Sequence, residues 1–301
     1  MIRSILPIFW ILAIAGAAAC GNPDDAQLTD DPDSWFLADE AAGWELVDLE
    51  AVTGWRVIGL PLPAPERATV RALYHALLHD GDGPGRPLPV AGLLQDVRLF
   101  ARDRALAAIL DAGGKLWLWD VGSGAVSALA EGVFPGFAFS PDGRRLAFSA
   151  GQIPDLDLYV MTLDSREVVR LAHENGPATG PAFSPDGTEV AYVSSVGGYA
   201  SIAAVSVMGG TPRRLTNRDL PVDGTPVHSS RQAPFPESRR PMLWTADGLF
   251  FEHAGGLVQL SEAGRVVARW PGARFPVGAN GRVLHVANGV LRPLTQPEVA
   301  R

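Results

Sequence analysis

The chain has 301 residues, a net charge of −8, 33 glycines, 25 prolines and a single cysteine. The acidic balance argues against nucleic acid as a partner and against adsorption to anionic lipid headgroups. One cysteine excludes a disulfide within the chain, so a core must supply stability, and the close spacing of glycine and proline favours many short strands over long helices.

At the N-terminus, Arg3 gives a short positive start, and residues 5–19 are apolar or small without a charge. That run has the length of a signal-peptide core and is short for a membrane span. It ends in Ala17-Ala18-Ala19-Cys20-Gly21, which resembles the lipobox of bacterial lipoproteins. The resemblance implies cleavage before Cys20 and a lipid on its sulfur, which would be the protein's contact with the membrane. The plainer alternative is an ordinary secretory signal cut near Ala19, leaving a free thiol. Residues 1–19 are therefore read as the signal and 20–33 as the lipidated cysteine and a tether, with 34–295 as the folded domain and 296–301 as a tail. The tether is acidic and poor in apolar residues, as flexible segments are, and reaches at most roughly 45 Å. Gly21 is not the aspartate that holds enterobacterial lipoproteins at the inner membrane, so the expected location is the outer membrane, facing the periplasm.

The folded domain opens with residues 34–39, a spare strand, followed by strands at 44–49, 55–60, 70–78 and 86–90. Within 68–79 the apolar residues Val70, Leu73, Tyr74, Leu77 and Leu78 fall at helical spacing. Register with later segments, where Leu158-Tyr159 begins a matching Leu-Tyr-x-x-x-Leu pattern, favours a strand. Further strands are read at 99–103, 105–110 and 115–120. Two close repeats come next. Phe139-Ser140-Pro141-Asp142-Gly143 precedes the strand 144–149, and Phe183-Ser184-Pro185-Asp186-Gly187, forty-four residues on, precedes 188–193. Proline presets the turn, aspartate bonds back to the backbone and glycine accepts a positive φ. Third strands follow at 157–163 and 200–207, and fourth strands at 167–171 and 211–215. A worn copy at 243–248, with Asp247-Gly248, leads into 249–252 and 257–260, and another at 278–281 leads into 282–286 and 290–294.

Four short antiparallel strands per forty-odd residues make a propeller blade. The segments Ala138-Phe139-Ser140-Pro141-Asp142-Gly143 and Gly209-Gly210-Thr211-Pro212-Arg213-Arg214-Leu215-Thr216 resemble the WD40-like PD40 repeats of the TolB propeller family. The resemblance implies an all-β, six-bladed propeller with blades starting near 44, 97, 137, 181, 242 and 274, or seven blades if 34–61 counts separately. Pairing 34–39 with the three strands of the last blade would close the ring and remove exposed edges. The resemblance also implies a protein-binding role in the cell envelope.

No catalytic motif is present: the sequence lacks a Gly-x-Ser-x-Gly elbow, a P-loop, a dinucleotide fingerprint and a His-Glu-x-x-His pair. No enzyme activity, cofactor or metal is expected. Asp142, Gly143, Asp186, Gly187, Asp247 and Gly248 are read as turn-forming residues of separate blades. His75 and His79 share a strand face but lie about 13 Å apart, too far to hold one metal, and are read as a wetted face. The tryptophans at 35, 44, 55, 117, 119 and 244 are read as packing between blades, with a sugar platform as the alternative. Residues 217–240 form a long, proline-stiffened, locally basic link, and long links in compact domains are commonly functional or disordered. His228, Arg231, Phe235, Arg239 and Arg240 in it are the candidate contacts for an envelope protein of unknown identity. The competing readings are a small-ligand or carbohydrate-binding lipoprotein and an enzyme sited in the propeller channel.

Overall fold

The computed structural model describes residues 35–36, 45–50, 55–61, 74–80, 84–152, 155–196, 200–216, 242–253, 256–279, 282–287, 290–294 and 297–299. The regular structure is antiparallel sheet throughout. Two four-stranded meanders match the two close repeats. One runs Val133–Phe139, Arg145–Gln152, Asp155–Thr162 and Val168–Ala172; the next runs Ala178–Phe183, Glu189–Ser194, Ser201–Ser206 and Arg213–Arg214. Before them lies an eight-stranded sheet made of two such meanders, 45–87 and 94–130, joined by the single bridge Tyr74↔Leu94. After them comes a sheet of Met242–Thr245, Gly248–His253, Gly256–Leu260 and Val266–Pro271. The last holds Arg274–Ala279, Arg282–Ala287 and Val290–Pro293, with Trp35–Phe36 paired antiparallel to Val290–Pro293 through Trp35↔Leu291 and Phe36↔Val290.

The core is distributed between neighbouring sheets. Val57, Leu78 and Leu88 of one meander pack on Val97, Ile109 and Trp119 of the next, with Trp55 and Trp117 at the margin. Leu106, Leu110 and Leu116 pack in turn on Phe137, Leu146 and Phe148. Leu158 and Val160 meet Val190, Tyr192 and Val205, and Val193 and Ile202 meet Phe251 and Val258. The three sheets spanning 94–130, 133–172 and 178–214 are thus apolar on both faces, and burial of those faces is the main driving force holding successive sheets together. The placement of Trp55, Trp117 and Trp119 agrees with the packing role read from the sequence. Trp117 also donates its Nε1–H to Asp111 Oδ2 at 2.9 Å and carries Lys115 Nζ 4.9 Å above its ring.

First strands of successive sheets lie against one another, as the innermost strands of a propeller do. Each of them except Met242–Thr245 has a register shift, between Leu46 and Asp48, Leu94 and Asp96, Phe134 and Ala138, Thr179 and Ala182, and Arg274 and Val277. At one such bulge the Gly136 amide donates to Asp96 Oδ2 of the preceding sheet at 2.8 Å. Asp96 is fully buried and forms an ion pair with Arg98 two residues along. Gly136, at φ +94°, faces Gly180 so closely that a Cβ on it would sit 3.5 Å from the Gly180 Cα. Here two innermost strands pack backbone to backbone.

The strand expected within 68–79 forms as Tyr74–Asp80 and pairs in register with Trp55–Pro61, residues 68–73 lying outside the described residues. Two sequence expectations are corrected. His79 is not on a wetted face: it is 1% exposed, whereas His75 is exposed. Chain that folds back over the strand end covers it, with the Gly85 Cβ position only 2.6 Å from His79 Nε2. Glu298–Val299, in the segment read as a tail, adds a fifth strand beside Val266–Pro271.

Candidate interaction surface

In the two close repeats the first turn is built by side-chain oxygens. Ser140 Oγ accepts the Arg145 amide at 2.9 Å and donates to Asp142 Oδ1 at 2.6 Å, and Asp142 Oδ1 accepts the Arg144 amide at 3.1 Å. Ser184, Asp186 and Thr188 repeat the pattern, with bonds of 2.6 Å from Ser184 Oγ and 3.1 Å from the Thr188 amide to Asp186 Oδ1. Gly143 and Gly187 close these turns at φ +65° and +71°. Burial pushes the Asp142 carboxyl up, but the Ser140 hydroxyl, the Arg144 amide and the charges of Arg145 and Arg144 outweigh it and hold the group below its ordinary range. For Asp186 the Ser184 hydroxyl is the main cause of the same depression, followed by the Thr188 amide and hydroxyl. Asp247 stands in a different turn. Thr245 pairs directly with Gly248, and Asp247 contributes its amide to Thr245 Oγ1 and its carbonyl to Gln259 Nε2.

Because strands alternate in direction, the first-to-second and third-to-fourth turns of every sheet lie at one end, here called the turn end. Contacts between successive sheets confirm a common orientation there. Arg102 donates to the Pro141 carbonyl at 3.1 Å and Arg145 to the Gly187 carbonyl at 3.4 Å. Arg104 pairs with Asp164, Arg166 donates to Ser127 Oγ, and Arg213 reaches the Glu262 carbonyl. Among the described residues, the exposed large hydrophobics are Val126, Val168, Met208 and Val267, and all four begin a fourth strand or sit at its approach. Met208 is 80% exposed. A groove of about 540 Å³ opens between the two close repeats at the same end, lined by Pro141, Asp142 and Arg145 on one side and by Pro185, Asp186 and Met208 on the other.

The opposite end carries a different chemistry. Asp157 receives His173 Nδ1 at 2.8 Å and Arg170 Nη1 at 3.4 Å. Glu174 accepts from Tyr192 OH at 2.8 Å and from Ser194 Oγ. Burial first, and Glu174 second, push the Tyr192 phenol far above its ordinary range, so it remains a donor. Among the described residues, no three His, Cys, Asp or Glu side chains come together in a metal-holding group. Cys20 and the candidate contacts His228, Arg231, Phe235, Arg239 and Arg240 lie outside the described residues. The sequence reading missed Arg145 and Met208. Their signal was present in the Arg144-Arg145 that follows one turn and in the apolar Met208 placed before Gly209-Gly210, where a solvent-facing turn ordinarily carries polar residues.

Residues 109–233 match the profile of the PD40 family, the TolB beta propeller domain, and over that span the chain carries TolB-like propeller repeats. An uncharacterised protein of Agrobacterium fabrum is 35% identical over 79 residues, 26% of this chain and 27% of that protein. Tricorn protease homolog 1 of Streptomyces coelicolor is 35% identical over 77 residues, 26% of this chain and 7% of that protein. The chain therefore spans only about a quarter or less of these relatives. Among solved structures, a putative TolB from Agrobacterium tumefaciens aligns over 83% of this chain and 79% of its own, with 19% identity and a TM-score of 0.48. A gluconolactonase from Xanthomonas campestris aligns over 82% and 84%, with 14% identity and a TM-score of 0.53. The second likeness speaks to fold alone, and together with the repeats it makes the chain an all-β propeller.

Proposed function

We propose that this chain is a lipid-anchored β-propeller of the bacterial cell envelope that binds a protein partner and performs no chemistry of its own. The observation that carries the reading is that the exposed large hydrophobics among the described residues, Val126, Val168, Met208 and Val267, all stand at the turn end, Met208 in the groove itself. Exposed apolar side chains gathered at one end, rather than scattered, mark an interaction surface. Among the described residues the innermost strands pack on one another, Gly136 against Gly180 and tied to Asp96.

The Ala17-Ala18-Ala19-Cys20 sequence supports export, with Cys20 as the lipid acceptor, and Gly21 supports attachment at the outer membrane facing the periplasm.

Two experiments test the reading. Cells fed labelled palmitate should label the chain and fail to label Cys20→Ser. A photo-cross-linker at position 208 should capture one discrete envelope protein, while one at position 173, on the opposite end, should not. Equal capture at both positions, or none at 208, counts against the turn end as the binding face.

A further inference from the structure

The outermost strands of the sheets are not alike in how their edges are guarded. Arg86–Pro87 and Arg213–Arg214 are two residues long and carry arginine, and Trp35–Phe36 is also only a pair. Val168–Ala172 carries Arg170. Val266–Pro271 is covered by Glu298–Val299, paired antiparallel through Ala268↔Val299 and Arg269↔Glu298. Short length, charge and cover each keep a sheet edge from pairing further. Val126–Ala130 has none of these among the described residues. It is five residues long, uncharged, and paired on one side only, with Leu116–Asp120.

The direction of its main-chain groups follows from the pairing. The Asp120 amide donates to the Ala125 carbonyl at 2.9 Å, and Ser127 pairs with Leu118 two residues back, so Ala125 and Ser127 bond inward. Alternation along an antiparallel strand then directs the N–H and C=O of Val126 and Ala128 away from the sheet. Both residues are exposed, Val126 by 40%. The acids that flank the strand in sequence, Asp120 and Glu131, are each paired, with Arg104 at 3.8 Å and Lys115 at 3.1 Å. The edge is therefore suited to recognising main chain.

A register skip at Leu129 bends the strand, and a bulge can turn an edge away from partners. The covered edge shows that a skip is compatible with strand addition. Val266–Pro271 has its own skip at Val267, and Val299 pairs with Ala268 directly beside it.

We propose that the Val126–Ala130 edge receives an extended segment of the partner protein as an added β-strand, bonded through the main chain of Val126 and Ala128, as Glu298–Val299 pairs with the equivalent edge. Residues of that segment beside Val126 and Ala128 are small or β-branched and uncharged, because opposed side chains on one face of a sheet stand about 4.5–5.5 Å apart. This rests on the interaction reading above and names the form in which the partner is held: Val126 is one of the exposed hydrophobics at the turn end, and the strand leads away from that end along the outer wall.

The test uses the full-length protein in cells. Photo-cross-linkers at positions 126 and 128 should each capture the protein that is captured from position 208. Mapped by mass spectrometry, the two adducts should lie about two residues apart on one contiguous segment, because paired strands run in step. Ala128→Pro removes an outward donor, a change that edge strands tolerate, and should lower capture at 126 by about tenfold while leaving the thermal midpoint close to that of the parent. Ala128→Val keeps the donor and should leave capture unchanged. Adducts on unrelated segments, adducts on a second copy of this chain, or capture that survives Ala128→Pro would overturn the proposal. If the proline variant loses its fold, the adduct positions alone decide. Capture at 208 with none at 126 or 128 leaves the interaction reading standing and removes this inference. No capture at any of the three positions removes both.

Discussion

The turn from Ser140 to Arg145 and the turn from Thr245 to Gly248 both contain Asp-Gly, yet they are different structures. The first is a four-residue loop framed by Ser140, whose hydroxyl bonds both Asp142 and the Arg145 amide. The second is a two-residue hairpin in which Thr245 Oγ1 bonds the Gly248 carbonyl and the Asp247 amide. Pro141 and Pro185 fix φ at the first loop position of the wide turns, while Ala246 stands in the corresponding place of the tight one. The consequence reaches the surface. Wide turns on adjacent sheets project proline and carboxylate outward and form the walls of the groove; the tight hairpin supplies none of its lining. A groove therefore opens where two wide turns are neighbours.

The strongest way to break the comparison is to add a methyl group at the three turn glycines. Gly248 has φ +130°, and its Cβ would sit 2.2 Å from the Leu260 carbonyl oxygen. The Leu260 carbonyl is strand backbone with no room to yield, so Gly248→Ala should cost about 3–5 kcal/mol. Gly143 has φ +65°, and its Cβ would meet the Phe100 ring at 2.2 Å. Phe100 is buried but is a side chain, and Gly143→Ala should cost about 2–3 kcal/mol. At Gly187 the nearest atom is Pro141 Cδ at 3.5 Å, so only the positive φ is felt and Gly187→Ala should cost about 1 kcal/mol. Urea unfolding of the three variants checks the order. A result with Gly187→Ala the most damaging would refute the contact geometry.

A second comparison lies inside the matching pair, where Phe148 of one repeat corresponds to Tyr192 of the next. Tyr192 is fully buried and spans to Glu174, whereas Phe148 stacks on Tyr159 with ring centroids 5.8 Å apart. Tyr192→Phe makes the repeats alike at the expense of the Glu174 contact. It should destabilise by about 1–2 kcal/mol, since a partly buried carboxylate loses a donor. Thermal unfolding measures this, and an unchanged midpoint means that solvent satisfies Glu174.

Much of this fold was legible in the sequence because two repeats kept their turn residues. Ser-Pro-Asp-Gly identifies itself by chemistry, and the alternation of Trp117 and Trp119 is enough to place both between sheets. Strand starts were less legible. The sequence puts two of them near 137 and 181, whereas the strands begin at Val133 and Ala178. Pro135-Gly136 and Gly180-Pro181 read as breakers, but each lies in a bulge inside a continuing strand, a register shift that only the neighbouring sheet explains. The burial of His79 was hidden for the same kind of reason, because the chain that covers it arrives from Gly85. The groove was half legible: its aspartates were named as turn formers, but the pairing of two turns across sheets and the place of Met208 at its lip depend on packing.

The smallest expected effect separates Asp142 from Asp247. Removing the Asp142 carboxylate takes away its bonds to the Ser140 hydroxyl and the Arg144 amide, and Asp142→Ala should cost about 1 kcal/mol, as losing a helix-cap side chain does. Asp247 is exposed and acts through its backbone, so Asp247→Ala should stay within about 0.5 kcal/mol. The pH dependence distinguishes the two further. Asp142 is held below its ordinary value of 3.8 in the folded chain, so below that value the unfolded chain binds the proton more readily. Its contribution is therefore full above the ordinary value and is lost as pH falls through the depressed one. The stability gap between the parent protein and Asp142→Ala should narrow in that acid window, while the gap for Asp247→Ala stays small throughout. If both gaps narrow equally, the acid response belongs to carboxylates in general, and the wide turn has no distinct hold on its aspartate.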